Sequence, residues 1–213
     1  MKTRSKALLL TLCAVVLVIA TVFGTMAYLT STDEVTNTFT VGQVKIKLDE
    51  AKANTDGSLV ANAERVKANS YKLLPGHTYN KDPMVTVLSG SESSYIKMTV
   101  TFSKAKELDA IFDPNGATLT NIFNGYDAAN WIYKGNTENA SANTRTYEFW
   151  YKETVAAPDA DVALDALFDS ITVPGNLTNA QLATIEGMTI TVNAYAIQAD
   201  GFANADAAWA AYA

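Results

Sequence analysis

Apolar and polar residues alternate one by one along much of this chain, and a period of two fits a half-buried strand rather than a helix. Ile96, Met98, Val100 and Phe102 alternate with Tyr95, Lys97, Thr99 and Thr101. Tyr147, Phe149 and Tyr151 alternate with Glu148, Trp150 and Lys152, and Ile190, Val192, Ala194 and Ala196 share a face near the end. Val44, Ile46 and Leu48 point one way, with Lys45, Lys47 and Asp49 pointing the other. Val85 and Val87 after Pro83, and Trp131 to Tyr133, add shorter pieces. Strands polar on one side suit antiparallel sheets with one face in water. Seven or eight of them predict an all-β fold, an antiparallel jelly roll or β-sandwich.

Between Trp131 and Tyr147 the polar run Lys134 to Ser141 reads as a hairpin tip. Ala51 to Ser70 reads as a surface excursion or small hairpin turning at Asp56-Gly57. Short helices are expected as insertions. Leu164, Leu167, Phe168 and Ile171 fall at i, i+3, i+4 and i+7, the stripe of an amphipathic helix, with Asp161, Asp165 and Asp169 on another face. Thr178 with Gln181 forms a capping box, and Gly187 stops that helix after Glu186. The alanine-rich tail from Asn204 carries Trp209 and Tyr212, which are expected to pack back onto a sheet.

The first residues differ from the rest. Lys2, Arg4 and Lys6 precede an uncharged run from Ala7 to Leu29, and Thr25-Met26-Ala27 approximates an A-x-A cleavage site before Tyr28. Basic start, apolar stretch and small residues make an export signal. A retained membrane helix is the alternative, since about 20 apolar residues suffice to cross a bilayer. Both readings put the body outside the membrane. Cleavage after Ala27 removes three basic residues, taking the formal charge from −6 to −9, together with Cys13, the chain's one cysteine. An acidic body without a basic cluster argues against nucleic-acid partners, and one without cysteine has no disulfide or thiolate chemistry.

Catalytic signatures are absent. His77 is the single histidine, set in Leu74-Pro75-Gly76-His77-Thr78-Tyr79, and there is no HExxH, GxSxG or phosphate-cradling glycine loop. The acidic triplet Asp161, Asp165 and Asp169 lacks the tight loop spacing of a calcium site and reads as a solvated face. Asn139-Ala140-Ser141 and Asn176-Leu177-Thr178 match the glycosylation pattern, which arises easily by chance. The expectation is a non-enzymatic protein without cofactor or resident metal.

Gly24-Thr25-Met26-Ala27-Tyr28-Leu29-Thr30-Ser31-Thr32-Asp33-Glu34-Val35-Thr36-Asn37-Thr38-Phe39-Thr40-Val41-Gly42 is the most specific stretch. It resembles the TasA/camelysin family of Gram-positive bacteria, exported through a SipW-type signal peptidase. His77 to Pro83 leading into Val85 and Val87, Tyr95 to Val100, and Ala194 to Phe202 add to the likeness, which thereby spans nearly the whole chain. The resemblance implies a jelly-roll domain, secretion to the cell surface or extracellular matrix, and assembly into biofilm fibres in which one subunit's N-terminal arm completes its neighbour's sheet. Camelysin's metallopeptidase label finds no HExxH here to rest on, so a secreted peptidase is the least favoured alternative. A membrane-tethered adhesin or fibre anchor is the other.

The arm itself fits such a role. From Tyr28 to Val41 it contains no glycine or proline and is rich in threonine and valine. Val35, Phe39 and Val41 occupy odd positions, and the apolar set moves to even positions after Gly42, which marks a break between arm and body strand. The expected organisation is therefore a signal over 1–27, a donor arm over 28–41 and one domain over 42–213. Thr25, Ala27 and Tyr28 form the cleavage site. Tyr28, Leu29, Val35, Phe39 and Val41 are the donor-strand residues. The expected partners are copies of the chain itself, joined head to tail, and the signal peptidase during export. A membrane is touched only through an uncleaved N-terminus.

Overall fold

The computed structural model describes residue 6 and residues 10–17, 42–112 and 122–212. The chain divides into two units, Met1–Val41 and Gly42–Ala213. In the first, residues 10–17 are helical, with Leu10, Leu12, Val15, Val16 and Leu17 all exposed. No helix among the described residues is long and apolar enough to cross a membrane.

The second unit is built of antiparallel sheets, with three short helices named among the described residues. Its elements run β1 (Ile46–Asp49), β2 (Thr78–Asn80), β3 (Met84–Val87), β4 (Ser91–Ser103), α1 (Ala105–Phe112), β5 (Trp131–Asn139), β6 (Thr144–Tyr151), β7 (Val155–Ala157), β8 (Val162–Ala163), β9 (Ser170–Thr172), α2 (Asn179–Thr184), β10 (Ile190–Gln198) and α3 (Ala205–Tyr212). The largest sheet has the order β10-β4-β6-β5, with β7 also on β4; a second runs β1-β3-β8, and β2 pairs with β9. β4 is the spine: Phe102 faces both Ile190 of β10 and Arg145 of β6, and the ladders continue to Ser94↔Gln198 and Lys97↔Trp150.

The alternation read from the sequence decides which faces are buried. Ile96, Met98, Val100 and Phe102 of β4 are fully buried, as are Tyr147 and Phe149 of β6 and Val85 and Val87 of β3. All belong to one hydrophobic cluster. Phe123 is its hub, with ring centroids 5.7 Å from Phe102, 5.6 Å from Tyr147, 6.1 Å from Phe149 and 4.5 Å from Phe168. Edge-to-face aromatic contacts of this kind add to what burial alone contributes. On the other face of the large sheet the C-terminal helix docks as the tail predicted. Trp209 is buried 6.1 Å from Trp150, and Lys97 Nζ lies 4.5 Å over its ring.

Four sequence expectations are corrected. Residues 164–171 do not form a helix. Leu164 N–H donates to Val85 O and Leu167 N–H to Pro83 O, so the segment runs extended along β3 into β9, and its four apolar side chains are buried without a helical period. Asp161, Asp165 and Asp169 consequently share no helix face. Asp161 accepts from the Ser89 N–H at 2.8 Å, and Asp165 from Asn130 Nδ2 at 2.9 Å. The stretch from Lys134 is not all tip: β5 continues to Asn139, and the turn proper is residues 140–143. Asp49, expected to face water with Lys45 and Lys47, is buried.

The 51–70 excursion is a small hairpin, bridged at Glu50↔Val66 and Ala53↔Leu59 and turning at Asp56-Gly57. Its tip lies against β2. Gly57 has φ +90°, and a Cβ there would sit 2.5 Å from Thr78 O and 2.7 Å from Tyr79 Cα. Both the left-handed backbone and the close approach demand glycine. Gly57→Ala is therefore expected to cost about 1–3 kcal/mol. A thermal melt beside Gly175→Ala, whose Cβ would meet only ordinary contacts at 3.5 Å, provides the check: equal melts would refute the packing.

Candidate functional site

An edge strand exposes every second N–H and C=O to whatever can pair with it. Among the described residues β10 pairs with β4 on one side and with no strand on the other. Beside its first residues lies a groove of about 840 Å³. Met188, Ile190 and Thr191 form one bank; Asn69 to Leu73, the returning limb of the excursion, forms the other. The lining also includes the buried apolar side chains of Tyr79, Ile171, Val173 and Phe112, Leu182 of α2, and the charged Lys72, Lys81 and Glu186. A volume of this size is in the range that takes ordered ligands or several inserted side chains, roughly 300–1,000 Å³.

The groove's walls are fixed by hydrogen bonds. Tyr79 is buried; its hydroxyl donates to Lys72 O at 2.7 Å and accepts from the Leu74 N–H at 2.6 Å. Tyr71 stands edge-on to Tyr79 at 5.3 Å and donates to Asn80 O at 2.6 Å. Burial, reinforced by the nearby charge of Glu50, pushes the Tyr71 hydroxyl well above its ordinary titration range, so it stays a donor at every physiological pH. Thr178 caps α2, the helix whose Leu182 lines the groove. Its Oγ1 accepts from the Gln181 N–H while Gln181 Oε1 accepts from the Thr178 N–H, the reciprocal box expected from the sequence.

Beneath the excursion bank lies a charged network that periodicity gave no sign of. Arg65 Nε donates to Asp49 Oδ1 at 2.6 Å and Arg65 Nη1 to Asp82 Oδ2 at 2.8 Å, while Lys47 reaches the other Asp49 oxygen at 2.7 Å. Lys81 Nζ meets Glu50 Oε2 at 2.5 Å, and Asn69 Nδ2 donates to Glu50 Oε1 at 3.0 Å. These contacts pin the hairpin, and with it one bank of the groove, to β1 and the approach to β3. The missed signal was the clustering of opposite charges at Asp49-Glu50, Arg65 and Lys81-Asp82, which periods of 2 and 3.6 do not detect.

His77 is exposed, its ring 6.4 Å from that of Tyr79. Among the described residues no three His, Cys, Asp or Glu side chains gather as a metal site. The expected cleavage residues Thr25, Ala27 and Tyr28 lie outside the described residues, as do the expected donor-strand residues Tyr28, Leu29, Val35, Phe39 and Val41. No family model, curated protein or solved structure matches this chain.

Proposed function

We propose that the chain is a secreted, non-enzymatic subunit of an extracellular biofilm matrix fibre. Cleavage between Ala27 and Tyr28 frees residues 28–41, and this arm lies along β10 of the next copy. The observation that carries the reading is the edge of β10, which among the described residues pairs with no strand, beside a groove lined by Tyr71, Leu73, Tyr79 and Ile171. Added main-chain bonds contribute affinity and alternate side chains contribute specificity, as in other cases of strand addition. Val35, Phe39 and Val41, sharing one face of an extended arm, would enter the groove. Donor and acceptor are different surfaces, so the contact propagates head to tail rather than closing on itself as a dimer. In the same reading the three sheets are the parts of a jelly roll, and the likeness of residues 24–42 to the TasA/camelysin family adds independent support.

Electron microscopy tests this on the protein beginning at Tyr28. It is expected to form filaments, whereas a chain beginning at Gly42 is not, and Leu73→Arg, which puts a charge into the groove, is expected to abolish filaments while leaving the far-UV circular dichroism unchanged. Filaments from all three proteins would overturn the arm-in-groove reading. A membrane-tethered adhesin or anchor is the second reading, favoured by the exposed apolar side chains of residues 10–17. Mass spectrometry of cell-associated protein separates the two, since an intact N-terminus means the tether.

A further inference from the structure

Glu50 brings Lys81 and Asn69 to one carboxylate as well as pinning the hairpin. One buried carboxylate holds both other side chains. Its Oε2 is 2.5 Å from Lys81 Nζ and its Oε1 is 3.0 Å from Asn69 Nδ2. Glu50 and Lys81 are 5% and 8% exposed. The Asn69 amide is held at both ends: Nδ2 also donates to Ala51 O at 2.9 Å, and Oδ1 accepts from the Ala53 N–H at 2.9 Å. An amine, a carboxyl group and a carbonyl polarised by a backbone N–H are the parts needed to exchange one amide for another.

We propose that Lys81 and Asn69 become joined by an intramolecular amide bond, formed by the chain itself with Glu50 as proton carrier. A proton passes from the Lys81 ammonium to the Glu50 carboxylate across their hydrogen bond, leaving a neutral amine and a carboxylic acid. The amine lone pair attacks Asn69 Cγ, and the developing oxyanion at Oδ1 is stabilised by the Ala53 N–H. Glu50 gives its proton to Nδ2 and takes one from Nζ. The Cγ–Nδ2 bond breaks, ammonia leaves, and the Lys81 Nζ–Asn69 Cγ amide remains with the surplus proton on Glu50. No oxidant, metal or cofactor enters. Proximity supplies the rate, since two groups held by one carboxylate react as if highly concentrated. The bond ties the returning limb of the excursion to the strand that leads into β3, in a chain whose one cysteine, Cys13, leaves it without disulfides. The bond forms within one chain and needs no particular mode of assembly.

The test is peptide mapping of the full chain as purified, and it needs no variant because the bond survives denaturation. Trypsin is expected to leave residues 68–72 linked to residues 73–97, uncut after Lys81, with an intact mass about 17 Da (one ammonia) below that of the sequence. Glu50→Gln and Lys81→Arg are expected to abolish the linked peptide. Asn69→Asp is expected to restore a link with loss of about 18 Da (one water), since a carboxyl group can replace the amide as acceptor. Separate, unmodified peptides 68–72 and 73–81 from the unaltered chain would overturn the proposal. So would a 17 Da loss confined to 68–72, the mark of a succinimide at Asn69-Ser70 (again about one ammonia). A link that persists in Glu50→Gln would overturn the role given to Glu50.

Discussion

Phe123→Ala is expected to lower the free energy of unfolding by about 3–5 kcal/mol, the range for removing a large aromatic ring from a closed core. Phe123 is 2% exposed and touches four other rings. Those rings belong to β4 and β6, which are paired with each other, and to the segment before β9, which is held to Pro83 by the Leu167 N–H, so they cannot all move inward to fill the space. The cavity therefore persists, and its cost adds to the lost burial. Urea unfolding is the measurement. With a slope of about 1–3 kcal/mol/M, the midpoint falls by 1 M or more while the slope itself holds. Leu59→Ala, at a side chain 55% exposed, is the control and is expected to change stability by no more than about 0.5 kcal/mol. Similar shifts in the two variants would mean that Phe123 is not the hub described.

Arg65→Met is the second large effect, up to about 3–5 kcal/mol at neutral pH, because it leaves a buried carboxylate with the half-exposed Lys47 as its remaining cation. The Asp49 side chain is 3% exposed, whereas Asp82, the other acid on Arg65, is 27% exposed and can turn to water. The loss should depend on pH. Burial works to raise the Asp49 pKa, and hydrogen bonds and charge from Lys47 and Arg65 outweigh it, so the folded carboxyl titrates below its ordinary value. The folded state then binds fewer protons than the unfolded one near that value. The stabilisation is complete above the ordinary carboxylate pKa of about 3.9 and is lost as pH falls through the folded value. Denaturation at pH 7 and at about pH 3 should show the gap between wild type and Arg65→Met narrowing with acid. A gap that widens on acidification would refute the assignment.

What the sequence made legible and what it concealed follow from the range of the interactions involved. The faces of β4, β6 and β10 were readable because each residue's side is set by its own position in a regular strand. The capping box at Thr178 and Gln181 was readable because both partners lie within one turn. The segment at 164–171 was misread because Leu164, Leu167, Phe168 and Ile171 match a helical stripe by coincidence. All four are buried in one cluster along an irregular extended path, and the β-branched pair at Ile171 and Thr172 is the contrary sign. Helix α1 was missed although Ala105, Leu108, Ile111 and Phe112 carry its buried stripe. The groove and the network below it join residues 49–50, 65–73, 79–82 and 188–191, separations at which a single sequence is silent. Asp49 was assigned to solvent by alternation alone, which takes no account of Arg65 folding back over it.

The placement of β4 also bears on how the molecule comes into being. Its register with β10 sets Phe102 against Ile190 and Ser94 against Gln198, so the strand at the middle of the largest sheet waits for a partner near the far end of the chain. Any process that delivers the polypeptide from its N-terminus onward, whether a ribosome or a translocation pore, presents a long apolar ribbon whose second neighbour has yet to arrive. Contacts this distant in sequence also slow folding, because a large loop must close before they form. Newly emerging chains thus pass through an interval of vulnerability to chaperones, proteases and one another, which ends only when β10 is free.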